Sequence, residues 1–274
     1  MQMGMTAYLG PLRGRRAQLD YVNFYAHLHH LVDAKVGRIL RTLGDPGDPG
    51  SLRSRTVVVR CSDHGEMGLS HGGLRQKAFN AYEETINVPL VISNPLLFPR
   101  PAETDALASL IDLLPTLARL AGASPPPGAQ GVDLSPVLAR YASPGREAPE
   151  RAQADFASVR EHPKPEVTVR DSVHFTYDDH QAATAQAEAP GQPDRVRCIR
   201  DSHMKYAVYL DPLGRAAPEY EMYDLERDPL ERLNLLDHRT GEPRQASNRA
   251  DRNRLAEALR TQMAELGTDH LTPS

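Results

Sequence analysis

At 274 residues the chain can form one large domain or a domain with a smaller subdomain, and 40% hydrophobic with 25% charged residues is the balance of a soluble globular protein. A formal charge of -4 with scattered Lys and Arg excludes a nucleic-acid stripe, and no run approaches the roughly 18 apolar residues of a membrane helix. Two cysteines, Cys61 and Cys198, are too few for a disulfide framework and fit a reducing compartment, although one bridge between them stays open. The N-terminal stretch MQMGMTAYLGPLRGRR has no apolar h-region, so no signal peptide is read and a cytoplasmic location is expected.

Residues 18–43 place Leu19, Val22, Tyr25, Leu28, Val32, Val36, Ile39 and Leu43 at near-helical spacing, which predicts a helix stopped by Gly44 and the loop DPGDPG. Thr56 to Ser62 is a β-branched run that predicts a buried strand. The Gly-rich polar stretch 63–77 predicts a loop, a short helix follows around Ala78–Glu84, and Val88 to Ser93 predicts a second buried strand. Thr104 to Gly122 predicts another helix, with Leu107, Leu110, Ile111, Leu114 and Leu117 on one side. This order is that of an α/β layer fold. Residues 123–150 are rich in Pro, Gly, Ser and Ala and suggest a boundary. Beyond them come strand-like pieces at 153–160, 171–177, 195–201, 204–210 and 220–224, a surface loop at 181–194, and a closing helix at 249–266. The expected organisation is a core portion over 1–140 and a smaller antiparallel α+β subdomain over 141–274.

The chemistry concentrates in Cys61-Ser62-Asp63-His64-Gly65-Glu66. A strand ends and an acid and an imidazole follow at once. Open α/β sheets place ligands at the carboxyl ends of their strands. Adjacent side chains on a strand point to opposite faces, so Asp63 and His64 can share a ligand only where the chain turns, and Gly65 permits the turn. A carboxylate oxygen with an imidazole nitrogen suits a divalent cation. Lys77, after the glycine-rich loop, offers a fixed ammonium to a tetrahedral oxyanion. His71 between them could donate a hydrogen bond or protonate a leaving oxygen near neutral pH.

SDHGEMGLSHGGLRQKAFNAYEETINVPLVISNP resembles the late metal-site segment of sulfatases, in which a strand is followed by S-D-H-G-E-M, a Gly/His loop, a Lys, Y-E-E and V-P-L before a Pro. The likeness covers Thr56 to Pro95 closely. IDLLPTLARLAG (Ile111–Gly122), YVNFYAHLHHLVDAKVGRIL (Tyr21–Leu40) and MKYAVYLDP with EYEMYDLERDPLERLNL (Met204–Leu235) resemble further family segments in the family's order. The resemblance implies a partial alkaline-phosphatase-like layered fold. It implies that Asp63 and His64 bind a divalent cation, usually calcium and in some members manganese, and that Lys77 contacts sulfate. The substrate implied is a small-molecule or saccharide sulfate ester. The loop here is one residue longer than the family pattern, at Gly72-Gly73, which bears on the reach of Lys77.

The chain also departs from the family. Sulfatases carry an Asp pair after their first strand and a C/S-x-P-x-R motif whose Cys or Ser becomes formylglycine. No such motif occurs in this sequence: Ser143-Pro144-Gly145-Arg146 is one residue short. The expectation is therefore a chain lacking the nucleophile, as a fragment, a truncated product or one part of a split protein, inactive alone and completed by an upstream partner chain or an oligomer. A non-catalytic remnant is the alternative from another class, and a phosphodiester or phosphonate monoester hydrolase the alternative within the superfamily. His27, His29 and His30 read as a solvated or packed helix face rather than a metal site, and Asp178, Asp179 and His180 as a loop meeting substrate or a neighbouring subunit. Glu83-Glu84 reads as a helix face with structural hydrogen bonds.

Overall fold

The computed structural model describes residues 12–77, 79–142, 167–178, 193, 195–211 and 214–269. These group into two compact units, one built from the described residues within 13–63 and 89–170, the other from those within 64–88 and 171–269. The expected strand at 153–160 and most of the expected loop at 181–194 lie outside the described residues, as do Asp179 and His180. Among the described residues no helix is long and apolar enough to cross a membrane.

The first unit opens with helix α1 (Arg15–Thr42), which ends where Gly44 takes a positive φ of 91°. The periodic apolar positions form the helix as predicted, yet none of its residues is buried. Leu19, Val22, Leu28, Val32 and Ile39 stay exposed. Strands β1 (Val58–Cys61) and β2 (Leu90–Ser93) pair antiparallel, with Val58 opposite Ser93 and Cys61 opposite Leu90. The expectation of two buried strands is corrected here: no residue of either strand is fully buried, and Val91 is 53% exposed. The pair forms a two-stranded sheet among the described residues, and two strands cannot cover one another's faces.

The buried Asn94 ties this pair to its approach. Its amide donates to the Ser54 and Thr56 carbonyls at 2.9 and 3.0 Å and accepts from the Leu96 and Leu97 amides. The helix expected from Thr104 starts later, as a turn at Leu110–Asp112 running into α3 (Leu113–Leu120); the single turn Glu83–Ile86 of the other unit is α2. The late start has a local cause. Ser109 and Asp112 form a capping box, and the fully buried Asp112 also accepts from the Val132 amide at 2.8 Å and pairs with Arg170. A short helix α4 (Ser135–Ala139) follows.

The second unit is built on four antiparallel strands in sequential order: β3 (Val173–Asp178), β4 (Arg195–Arg200), β5 (Met204–Leu210) and β6 (Glu219–Asp224). All four fall where the sequence placed them, as does the closing helix α5 (Arg249–Leu266). Side chains alternate across a strand, and here both faces are covered. Ile199, Met204, Tyr206 and Met222 pack against Leu255 and Leu259 of α5. On the opposite face Val196, Cys198, Ala207 and Tyr209 pack with Ala81, while Tyr223 packs with Met67, Leu74 and Tyr82. The segment 64–88 is thus the second cover of the sheet. Cys198 and Cys61 are both free thiols, so no bridge joins them, and burial pushes the Cys198 thiol up to about 12.

Candidate active site

Strand β1 ends at Cys61, and the chain passes through Ser62 to an exposed Asp63 and a half-buried His64. Asp63 closes a segment of one compact unit and His64 opens a segment of the other. The His64 Nδ1 lies 2.9 Å from the Gly65 carbonyl oxygen. A carbonyl only accepts, so Nδ1 is the donor of that bond, which makes Nε2 the nitrogen that a metal would use.

Gly65 answers to sterics. Its amide donates to the Thr85 carbonyl at 2.8 Å, and a Cβ there would lie 1.9 Å from the Glu84 carbonyl oxygen. Gly65→Ala is expected to cost about 1–3 kcal/mol, the usual range for overpacking. Chemical denaturation of the variant beside the parent chain checks this, and an unchanged midpoint would contradict the close approach.

The loop that follows is pinned at both ends. Glu66 Oε1 accepts the Gln76 amide at 2.8 Å, and the Met67 amide donates to the Gln76 carbonyl at 3.0 Å. Leu69, His71, Gln76 and Phe79 all have positive φ, between 50° and 78°. Strained non-glycine backbone of this kind costs about 1–3 kcal/mol per residue and clusters at functional sites. The loop is held by the burial of Met67 and Leu74. Lys77 is half-buried, and its carbonyl accepts from Asn80 Nδ2 at 3.3 Å.

The structure turns His71 inward. Its ring stacks on Tyr82 with centroids 3.7 Å apart, and its Nε2 lies 3.4 Å from Glu84 Oε2 without making a hydrogen bond. Its side chain is only 9% exposed. Beside it lies a charge network whose members the sequence reading did not bring together. Lys205, from β5, pairs with Glu231 and with Glu83 Oε1 at 3.1 Å. The Glu83 amide donates to Glu231 Oε2 at 2.6 Å, and Arg200 Nε lies 3.5 Å from Glu83 Oε1. Burial pushes the Glu231 carboxyl up to about 7 against the pull of Lys205. Burial acts the same way on Glu83, but Lys205 and Arg200 outweigh it and hold that carboxyl below its ordinary value. Y-E-E and D-P-L-E-R-L-N-L were the signals: both stretches carry these acids, but nothing in the sequence showed that they meet.

Glu221, on the same sheet face, is buried and accepts from Tyr209 Oη at 2.5 Å and Tyr82 Oη at 3.1 Å. Burial raises its pKa, so the folded state holds a proton more tightly than the unfolded state does. Its contribution to stability is full below the ordinary carboxylate range and is lost as pH rises through its folded value. Glu221→Gln, neutral at every pH, is expected to lose that part of the slope. Denaturation midpoints measured across the acid-to-neutral range test it, and parallel profiles for the two proteins would contradict it.

Asp178 serves as an ion-pair partner, 2.6 Å from Arg197 and 2.7 Å from Arg195. His27, His29 and His30 lie on the exposed surface of α1.

The sulfatase family model matches residues 7–123. The chain is 32% identical over 246 residues to the choline-sulfatase of Rhizobium meliloti, a match covering 88% of this chain and 36% of that protein. The resemblance to sulfatases read in the sequence is thereby shown. The fold is that of a solved 2-O GAG sulfatase, with a TM-score of 0.67 at 22% identity over 94% of this chain and 46% of that one. A phosphonate monoester hydrolase of Agrobacterium radiobacter shares the fold at a TM-score of 0.59 and 24% identity, over 86% of this chain and 39% of that one. The alkaline-phosphatase-like reading of the sequence is thereby upheld. The chain spans about a third of the length of the curated relatives it matches.

Proposed function

We propose that this chain supplies the cation- and oxyanion-binding part of a sulfate-ester hydrolase. Asp63 and His64 hold a divalent cation, calcium first and manganese second, and Lys77 presents its ammonium to the oxyanion. The observation that carries this reading is the segment 56–95, where the family's S-D-H-G-E-M follows a strand end and His64 has its Nδ1 proton committed to a carbonyl. An exposed carboxylate and an imidazole whose Nδ1 is engaged by a carbonyl fit a hard or borderline cation. When bound, that cation supplies Lewis-acid polarisation of the ester oxygen. Lys77 offsets charge that builds on the nonbridging oxygens. Protonation of the leaving group is not assigned to His71, whose Nε2 is buried toward Glu84.

The substrate class proposed is a sulfated saccharide or small-molecule sulfate ester. Fold alone does not separate sulfur from phosphorus, since a phosphonate monoester hydrolase shares it. The apolar surface of α1 and of the β1–β2 pair is proposed as the place where the remainder of a sulfatase core packs, whether an upstream segment, a partner chain or a second copy. Exposed patches of this kind favour association.

Two protein ligands are few for a cation that takes about six oxygens, so calcium is expected to bind with a Kd no tighter than about 0.1–1 mM. Calorimetry with calcium and manganese on the chain and on Asp63→Asn, with sedimentation of the same samples, tests the proposal. Loss of the weak binding in Asp63→Asn, in a chain that self-associates, is the expected result. Calcium binding unchanged in Asp63→Asn would remove the site. Sub-micromolar affinity in a monomer would show that the 274 residues contain a complete one.

A further inference from the structure

We propose that His71, Glu84 and Glu231 form a second cation site, separate from Asp63 and His64, suited to a borderline divalent ion such as zinc or manganese rather than calcium. One imidazole nitrogen and two carboxylate oxygens, one from each residue, lie within 4.8 Å of one another. Ligand atoms around a bound zinc stand about 3–4 Å apart, given bonds of about 2.0–2.2 Å. The remaining gap closes by rotation of Glu84, whose side chain is 25% exposed and is the least confined of the three.

Two independent features point to a ligand there. The first is hydrogen bonding. His71 Nε2 is buried, is directed at the two acids and makes no hydrogen bond, and Glu231 Oε1 is held only by its ion pair with Lys205. A buried nitrogen left as His71 Nε2 is keeps an unrecovered desolvation cost, and a cation would satisfy it while sharing Glu231 with Lys205. The second is charge. Three acidic side chains, Glu83, Glu84 and Glu231, meet two cations, Lys205 and Arg200, so the acids outnumber their basic partners by one. A divalent ion reverses that excess.

The surroundings already do what outer partners do at metal sites. Tyr82 fixes the plane of the His71 ring by stacking, and the Glu83 amide with Lys205 fixes the Glu231 carboxylate. An imidazole nitrogen in the set favours zinc or manganese over calcium, which takes oxygen ligands. The ion would tie the loop carrying His71 to the turn carrying Glu231, which in sequence lie far apart. It therefore acts as a staple for the cover that carries His64 and Lys77.

The test uses the 274-residue chain bearing Asp63→Asn and His64→Gln, so that only the second site remains. Equilibrium dialysis with zinc, read by elemental analysis, is expected to find one equivalent bound. Cobalt, substituted as a spectroscopic probe, is expected to give visible bands of a low-coordinate nitrogen- and oxygen-ligated ion. Adding His71→Gln or Glu84→Gln is expected to weaken zinc at least about tenfold. Glu84→Gln lies at a partly exposed position, and circular dichroism confirms that its fold is kept. Zinc binding that ignores both substitutions would overturn the proposal. So would a chain that binds no zinc.

Discussion

The purified 274-residue chain is expected to hydrolyse an aryl sulfate about 10⁴-fold or more slowly than a complete sulfatase, with or without calcium. The expectation follows from chemistry. Formylglycine arises from the Cys or Ser of C/S-x-P-x-R, and no such motif occurs in these 274 residues. In the proposed reading the cation and Lys77 would act on an ester that some nucleophile must attack, and catalytic groups that work as a unit lose most of their effect when one is missing. Steady-state assay with p-nitrophenyl sulfate decides the matter. Robust turnover, abolished by a chelator and by Asp63→Asn, would mean that another group serves as nucleophile. Activity that emerges only on mixing with a polypeptide carrying the motif would support a split enzyme, with the apolar face of α1 as the first place to look for its contact.

Lys205→Met is expected to destabilise the second unit by about 3–5 kcal/mol, the cost of breaking a buried ion pair from one side. The Lys205 side chain is 2% exposed, and Glu231 is fully buried. Methionine keeps the length and apolar stem but removes the ammonium that both Glu83 and Glu231 need. The two carboxylates are then left with Arg200, which reaches only Glu83. In a domain of this size the loss corresponds to a fall in Tm of about 10 °C. Thermal unfolding followed by circular dichroism checks it. Adding Glu231→Gln to Lys205→Met is expected to recover part of the loss, because it removes the charge left unpaired. A drop of less than about 1 kcal/mol would show the network to be solvated. The same experiment bears on the sheet's cover, since Glu83 lies in the 64–88 segment and Lys205 on β5.

The sequence by itself determined the likeness to sulfatases, the four strands of the C-terminal sheet, the two long helices and the loop that carries Asp63, His64 and Lys77. Those features are written in local patterns: β-branched runs, helical spacing of Leu and Val, and a motif of fixed spacing. It misjudged the burial of β1 and β2, because an apolar run records the preference for cover and not whether cover is present. It also began α3 too early, since helical spacing from Thr104 said nothing of the Ser109–Asp112 cap that starts the helix. Only the tertiary structure decided what His71 faces. From sequence the residue was a loop histidine near a site; the positive φ at His71 and its stacking on Tyr82 turn its Nε2 toward Glu84 and Glu231. Glu83 and Glu231 stand 148 positions apart, and no local pattern encodes their meeting. They meet because the 64–88 segment must bury Met67, Leu74 and Tyr82, and the sheet face carrying Lys205, Ala207, Tyr209 and Tyr223 is the surface that accepts them.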